Sequence, residues 1–366
     1  MRERGGRKCK PTKKTIKRTI ITLFTLALFT LGVMTWTFVK SIPSRGTTTR
    51  TDLEVNPGGS QCFDQNSWHF KIKHMHIHKI EDALLLGGTD PKSLLRSKLL
   101  PDHRFIWKPQ LPIQGKHYAS AQNEVLIYHL DCLLGLKRTP AAAIYDIEFN
   151  HLRDSLGRLS RKRYEERSSD STFWDHWMNQ GYVRGTAQFF WEDSNHLDIF
   201  TEYYIKYTTK FTQKYLGFSF KFFLFHLFGG TSTGIREYSQ RDMLDYISGN
   251  WDRSHNQFYT HDVAGSSELI YLDHNHLSTN RGCKEIFLLQ HCKFWEDSVE
   301  KLRSFVEKGN LTSSLLKTIN TYDPEMRFNN EKIAAPLNCL QRRSELFLSF
   351  VAKCVAKHGY DYVFLD

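Results

Sequence analysis

The spacing of apolar and polar residues predicts strands in the first half of the chain and one long helix among them. Apolar and polar residues alternate over 70–80 (FKIKHMHIHKI), the period-two pattern of a strand. Between Ser120 and Leu136 apolar residues recur every three or four positions, which is typical of a helix; Ser120 is its predicted N-cap and Gly135 marks its end. Further strands are predicted over 103–109, after Pro140 and over 184–192.

The second half of the chain has mainly helical spacing. A helical run ends at Gly249-Asn250, and a short apolar strand over 269–272 follows and stops at Asp273. From Cys292 onward the pattern indicates three helices, with breaks near Gly309 and Pro336. Strands early and helices late predict a two-lobed α+β fold, with a β-rich lobe over 67–193 and a mainly helical lobe over 194–366.

Residues 19–39 form an uncharged run of 21 residues, long enough for a helix that spans a bilayer. Basic residues precede this run in residues 1–18, and the positive-inside rule places them in the cytosol. The prediction is a signal-anchor helix with a cytosolic basic tail and a lumenal bulk, joined by a Thr-, Gly- and Ser-rich stem over 40–66. A cleavable signal peptide is the alternative.

The net charge of +11 first suggests nucleic acid or anionic lipid as a partner. Residues 1–18 carry nine Lys and Arg against one acid, Glu3, and Lys40 adds one more positive charge. The rest of the chain therefore carries only +2, which argues against a nucleic-acid partner.

Seven cysteines are present, of which Cys9 falls in the predicted cytosolic tail. The six others fit up to three disulfides in an oxidising compartment, and their pairing is not readable from the sequence. Asn310 opens an Asn-Leu-Thr sequon and is a glycosylation candidate if the domain is lumenal.

Two acids, Asp252 and Asp273, lie on different supports: a polar loop after a helix and the end of an apolar strand. A rigid strand end can hold a metal ligand, and a loop carboxylate can accept the proton of a substrate hydroxyl. Phosphoryl transfer needs such a pair together with a Lys that binds phosphate and an acid that orients this Lys.

The other parts of such a site have candidates in the sequence. Glu124 lies in the first turns of the predicted helix, and the Lys is either Lys108 or Lys116. Gln257 follows Asp252 by five residues, the offset at which kinases place a metal-binding amide. Acids at helix and strand ends are more often turn residues, so spacing alone does not establish kinase chemistry.

The predicted period-two strand also places three histidines on one face, which can bind a metal. No carboxylate or Cys nearby completes a ligand set, so a polar strand face is favoured for His74, His76 and His78.

Three blocks resemble the four-jointed family of Golgi protein kinases, relatives of the secretory-pathway casein kinase. NEVLIYHLDCLLGLKRTPAA resembles the helix that bears the family's ion-pair Glu. DMLDYISGNWDRSHNQF resembles its catalytic loop, and ELIYLDHNHL its metal-binding segment. The tail segments HCKFWEDSVEKL, SSLLKTINTYDPEMRF and CLQRRSELFLSFVAKCVAKHG match in order and spacing. The resemblance covers about residues 100–360 and implies an atypical bilobal protein-kinase-like fold.

The resemblance implies a role for each matching residue. Asp252 is then the catalytic acid, Asp273 and Gln257 are metal-side groups, and Glu124 is the helix acid. The nucleotide is ATP with Mn²⁺ or Mg²⁺, and WKP around Lys108 resembles the FKP of the casein-kinase relatives, while Lys116 lies nearer the helix. The family also places cysteines at the positions of Cys292 and Cys354, which implies a disulfide.

The resemblance further implies a type II Golgi membrane protein, with release by stem cleavage left open. Its implied substrates are Ser and Thr in cadherin domains of the Fat and Dachsous type, which act in adhesion, planar polarity and growth.

One departure from the family leaves a second interpretation open. The D-N-E of the metal-binding segment is here Asp273-His274-Asn275, so the third carboxylate is lost. A lumenal pseudokinase that binds partners without transferring phosphate is therefore an alternative. A Golgi glycosyltransferase would share the anchor and the stem, but many of these enzymes use an Asp-x-Asp motif, which the chain lacks. A binding module without nucleotide is the remaining alternative.

Overall fold

The computed structural model describes residues 62–83, 91–110, 121–136, 138–157, 161–162, 164, 173–190, 195–196, 232–250, 257–261, 267–271, 274, 277, 283, 292–326 and 331–364. The predicted basic tail, signal-anchor helix and most of the stem lie outside these ranges and stay predictions. None of the helices in the described ranges has the length and apolar character needed to cross a membrane.

A five-stranded antiparallel sheet forms the first half of the fold. Its spatial order is β1-β2-β3-β5-β4, so the last two strands are exchanged relative to the chain. Neighbouring strands pair in antiparallel register throughout. The strands are β1 (Ile77–Asp82), β2 (Ser93–Ser97), β3 (Arg104–Pro109), β4 (Ala142–Glu148) and β5 (Tyr182–Phe190).

The segment predicted as one strand over 70–80 is instead a helix followed by a strand. Helix α1 (Trp68–Lys73) begins at Ser67, whose side chain accepts a hydrogen bond from the Phe70 amide. The buried residues of α1, His69 and Ile72, are three residues apart, a spacing that fits one face of a helix. The prediction of a continuous strand was therefore wrong, and the three histidines that it placed on one face are all exposed.

The long helix predicted after residue 120 is confirmed as α2 (Gln122–Leu134). It ends at Gly135, whose φ of 69° is left-handed. At its start Ala121 takes the N-cap position, and no side chain caps the helix there. Nearly all of α2 is buried, so packing stabilises its first turn in place of a polar cap.

Two shorter helices are next to β4 and β5 in the sequence. They are α3 (Phe149–Ser155), which follows β4 directly, and α4 (Phe173–Gln180), which precedes β5.

The second half contains a small sheet and a group of helices. The sheet has the order β6-β7-β8, with β6 (Asn195–His196), β7 (Gln257–His261) and β8 (Ser267–Tyr271). β8 confirms the strand predicted before Asp273, whereas β7 has no matching prediction. The helices are α5 (Ser232–Ser248), α6 (Glu296–Glu307), α7 (Leu311–Tyr322), α8 (Glu331–His358) and α9 (Tyr360–Val363).

The helix break predicted at Pro336 was wrong. α8 begins at Glu331 and continues through Pro336 to His358. Pro336 is the sixth residue of this helix, where a proline removes one amide hydrogen bond and crowds the preceding turn, but the helix continues past it. The break lies between Tyr322 and Glu331 instead, and the break predicted near Gly309 is confirmed between α6 and α7.

One continuous hydrophobic core connects the large sheet, α2 and the C-terminal helices. Three disulfides support it: Cys62–Cys132, Cys283–Cys339 and Cys292–Cys354. Cys62 and Phe63 are buried in this core, although their sequence neighbourhood has the composition of the stem. The fold is therefore a mixed α+β fold that includes residues ahead of the first strand.

Candidate functional site

Lys108 on β3 and Glu124 on α2 form an ion pair. Lys108 Nζ lies 2.6 Å from Glu124 Oε1, and the two side chains are 14% and 1% exposed. The second carboxylate oxygen, Oε2, is buried and has no hydrogen-bond partner in the described part of the chain. A shielded ammonium next to a carboxylate with one unused oxygen can bind a phosphate and a cation together.

Sheet register explains why this pair forms. Lys108 lies opposite Thr186 in the β3–β5 ladder. Thr186 Oγ1 donates a 2.7 Å hydrogen bond to the carbonyl of Ala121, the residue before α2. The same strand therefore neighbours Lys108 and holds the start of the helix that carries Glu124.

Lys116, the other candidate for the nucleotide Lys, lies outside the described residues. The observed ion pair supports Lys108 as the partner of Glu124. The role of either residue in nucleotide binding stays a prediction.

Asp252 and Asp273 also lie outside the described residues, but residues near both of them are placed. Asn250 and Leu277 form an isolated antiparallel bridge. The chain two residues before Asp252 is thus adjacent to the chain four residues after Asp273. Gln257, at the start of β7, pairs through its backbone with Tyr271 of β8; its side chain is not described.

A side chain of α8 forms a hydrogen bond with the last residue of α5. Arg343 Nη1 donates a 3.2 Å hydrogen bond to the carbonyl of Ser248, the last residue of α5. The amides of Gly249 and Asn250 both donate to the carbonyl of Asp245. These bonds fix the chain up to the residue before Trp251-Asp252.

A buried polar cluster that sequence reasoning missed lies behind α2, and we call it the Asp323 hub. Asp323 Oδ2 accepts hydrogen bonds from His69 Nε2 at 2.6 Å and from His129 Nε2 at 2.8 Å. Asp323 Oδ1 accepts from Lys73 Nζ and from the Ile144 amide, each at 3.3 Å. Four elements or their flanks, namely α1, α2, β4 and the end of α7, therefore meet at one carboxylate.

The ionisation of the hub follows from burial and hydrogen bonding together. Burial opposes a charge on Asp323, but the hydrogen bonds from His129 and His69 outweigh it and hold the pKa of this carboxyl well below its usual range. Burial also lowers the pKa of His129, although its bond to Asp323 acts in the opposite direction. Asp323 is thus an anion that accepts a hydrogen bond from a neutral His129 ring at neutral pH.

The two histidines and Asp323 each offer a possible metal ligand, with the three atoms within 4.8 Å of one another. The observed distances of 2.6 and 2.8 Å are those of hydrogen bonds. Ligands of a tetrahedral zinc ion at 2.0–2.1 Å stand roughly 3.3 Å apart. The Lys73 ammonium on the same carboxylate also disfavours a cation. The geometry fits a hydrogen-bonded junction better than a metal centre.

No local pattern in the sequence predicts this hub. Asp323 is separated from His69 by 254 positions and from His129 by 194. In the sequence Asp323 precedes a proline at the end of a helical run, where an ordinary turn residue is expected. His69 lies before the predicted strand over 70–80, and His129 is a polar residue within the predicted helix, so neither was expected to share a buried partner.

The structure also shows the positions of the other residues that the sequence analysis named, but it does not test their roles. Cys292 and Cys354 form a disulfide that joins the chain before α6 to α8. Asn310 lies at the N-cap position of α7, and Thr312 of its sequon donates a hydrogen bond to the Leu337 carbonyl at 3.4 Å. Glycosylation at Asn310 stays a prediction.

Comparison with known proteins gives no matching family model and no matching curated protein sequence. Solved structures do match. The Golgi casein kinase superposes with a TM-score of 0.58 at 17% identity, over 81% of this chain and 77% of that one. The same kinase with Mn and ADP bound gives 0.56 at 17% identity, over the same shares.

Hydra Fam20, solved with a sugar, also matches with a TM-score of 0.56 at 17% identity, over 81% of this chain and 90% of that one. At this level of identity the structural match establishes the fold alone. The chemistry must be inferred from the residues of the site. We conclude that the chain has the fold shared by the Golgi casein kinase and hydra Fam20.

Proposed function

We propose that this protein is a secretory-pathway protein kinase of the four-jointed type, which transfers the γ-phosphate of ATP to Ser or Thr hydroxyls in the Golgi lumen. The observation that carries the proposal is the shielded Lys108–Glu124 ion pair between the sheet and α2. Within a kinase fold, a strand Lys that is oriented by a helix Glu is the part that binds the nucleotide phosphates.

The remaining site residues complete the proposed mechanism. Lys108 binds the phosphates of ATP, and Glu124 keeps its ammonium in place. Asp273, with Gln257, would hold a Mn²⁺ or Mg²⁺ ion, which would supply positive charge beside the phosphates. Asp252 accepts the proton of the attacking hydroxyl. The bridge between Asn250 and Leu277 supports a common location for the segments that carry the two acids.

The proposed substrates are cadherin domains of the Fat and Dachsous type on cell-surface proteins that pass through the Golgi. Phosphorylation adds about −1.5 to −2 charges and three acceptor oxygens, which is enough to change the affinity between two cadherin surfaces. The proposed topology is a single-pass type II membrane protein, with the kinase domain in the lumen.

A pseudokinase is the second candidate, and the segment after Asp273 favours it. Where the family places a further acidic residue, this chain has Asn275. His274 is buried, and its Nε2 lies 3.0 Å from the Tyr271 carbonyl, so it has a structural contact there. A site with fewer carboxylates binds its metal more weakly.

Phosphate transfer from radiolabelled ATP to a panel of purified cadherin domains separates these functions. The full chain is assayed with Mn²⁺ or Mg²⁺ beside Asp252→Asn and Asp273→Asn. A kinase labels at least one domain, and both variants lose the activity by two or more orders of magnitude. Equal transfer by the variants and the parent contradicts the assigned site.

Thermal unfolding with ATP and Mn²⁺ distinguishes a pseudokinase from a protein that binds no nucleotide. A pseudokinase that retains its nucleotide site is stabilised by ATP but transfers nothing. A binding module or a glycosyltransferase is not stabilised by ATP.

A further inference from the structure

Helix α2 carries two residues that take part in different polar sites. Glu124, in its first turn, pairs with Lys108 of the sheet. His129, five residues later, donates to Asp323 at the end of α7. Because an α-helix is rigid over this distance, the position of one side chain constrains the position of the other.

The Asp323 hub fixes α2 against elements on its other side. The carboxylate accepts from His129, from His69 on α1 and from the amide of Ile144 on β4. Lys73 of α1 also bonds to the carbonyl of Tyr322, at 2.7 Å. With four hydrogen bonds the carboxylate is saturated, so a movement of His129 breaks a charge-assisted bond in a buried site.

Residues ahead of α1 add further contacts to the same part of α2. The ring of Phe63 stacks on His129 with centroids 4.6 Å apart, and on Tyr322 at 4.3 Å. Tyr128 Oη donates to the Cys62 carbonyl at 2.8 Å. The disulfide from Cys62 closes on Cys132, one turn beyond His129. The second half of α2 is thus held on several sides.

A shift of α2 by one residue is enough to break the Lys108–Glu124 contact. A shift by one residue moves a helical side chain about 1.5 Å along the axis and turns it by about 100°. The contact between Lys108 Nζ and Glu124 Oε1 is 2.6 Å long, close to the minimum for a charged hydrogen bond. The pair therefore depends on the rotation and height of the helix.

We propose that Asp323 is a positioning residue for the Lys108–Glu124 pair and acts through His129. The hub sets the rotation and height of α2, and thereby keeps the Glu124 carboxylate on the Lys108 ammonium. The value of this for phosphate transfer rests on the proposed kinase function. The effect on the ion pair does not.

The test measures acetylation of Lys108 by an N-hydroxysuccinimide ester in the full chain, followed by peptide mass spectrometry. Only a neutral amine attacks the ester, and a neighbouring carboxylate favours the charged amine. Loss of the pair should raise the rate by about tenfold. His129→Leu is expected to show this rise, as is Glu124→Gln.

Matched variants separate positioning from general loss of structure. His69→Leu removes a bond to the same Asp323 oxygen but keeps the bond from His129, so the Lys108 rate should stay near that of the parent. His129→Gln keeps an N–H donor the same number of bonds from the backbone and should restore the slow rate. If His129→Leu does not fold, His129→Asn, whose amide is too short to reach Asp323, takes its place.

A double variant then tests whether His129 acts through Glu124. The Lys108 rate in His129→Leu/Glu124→Gln should equal that in Glu124→Gln alone, because the pair is already broken. The proposal is overturned if the two effects multiply, if His69→Leu raises the rate as much as His129→Leu does, or if no His129 variant changes it.

A separate titration of the parent with ATP and Mn²⁺ reports on the proposed kinase function alone. A parent that binds no nucleotide overturns that function, while the Lys108 rates still decide whether Asp323 positions the ion pair.

Discussion

Gly249 is packed so closely against the guanidinium group of Arg343 that a β-carbon at this position would overlap it. Gly249 ends α5 with a φ of 83°, a left-handed conformation that disfavours other residues. The same guanidinium donates to the carbonyl of Ser248. Two independent features therefore favour glycine here, and this junction directly precedes the predicted catalytic loop.

Gly249→Ala is therefore expected to destabilise the protein more than an alanine at another left-handed glycine. Gly309 is the matched control, with a φ of 61° and open space around the added carbon. The backbone term costs about 1–2 kcal/mol at either site, and the overlap with Arg343 adds about 1–3 kcal/mol at Gly249 alone. Urea unfolding of both variants measures the difference. Equal losses would show that Arg343 moves away at no cost.

Lys108→Met and Glu124→Gln are each expected to weaken ATP binding by tenfold or more, because the shielded pair presents the ammonium to the phosphates. Lys79 and Glu81 offer a control, since they form a 2.7 Å ion pair in which Lys79 is 60% exposed. Lys79→Met should leave ATP affinity unchanged. Titration calorimetry of the three variants checks this. If Lys108→Met binds ATP as tightly as the parent does, Lys116 is favoured as the Lys that binds the nucleotide.

Replacement of both Cys62 and Cys132 by alanine should cost about 4 kcal/mol of stability from loop closure alone, since the disulfide spans 70 residues. Cys283 and Cys339 close a loop of similar length, with a separation of 56. Both sulfurs of the first pair are in the buried core, so its removal also leaves a cavity and should cost more. Chemical unfolding of the two double variants gives the comparison, and the reverse order would contradict it.

The Asp323 hub predicts a loss of stability in acid, in two steps. The pKa of His129 is lower in the folded state than in the unfolded chain, so stability falls as pH drops below about 6.5. The pKa of Asp323 is also lowered on folding, so its contribution is lost below about pH 4.

Unfolding free energies measured between pH 8 and pH 3 test this prediction. In His129→Gln the first step should shrink, because the amide does not titrate, while the second step remains. An unchanged pH profile in this variant would exclude His129 as the group responsible for the first step.

The sequence predicted the elements whose patterns are unambiguous. β3 and α2 were located within two residues, because a strand that ends at a proline and a helix that ends at a glycine have clear limits. The segment before β1 was mistaken because the buried positions of α1, His69 and Ile72, have helical spacing within a sequence that also alternates. β7 lacks a distinct apolar pattern and was missed.

The candidate site was predictable only where the family resemblance or local spacing applied. Glu124 and Lys108 were named as candidates, but their ion pair depends on the sheet register that places Lys108 opposite Thr186. Asp323 was not named, since its two histidine partners are remote in the chain and its neighbours resemble an ordinary helix end. Contacts between distant residues leave no periodic signal.

Asp323 is synthesised long after its histidine partners, and this delay affects how the chain folds. The carboxylate is made 194 residues after His129. At 5–20 residues per second, the ribosome needs roughly ten to forty seconds to cover that distance. During this delay the nascent first half carries two imidazoles without their acceptor and a helix without its neighbour. We expect the first half to mature only after residue 323 has emerged, and to depend on chaperones until then.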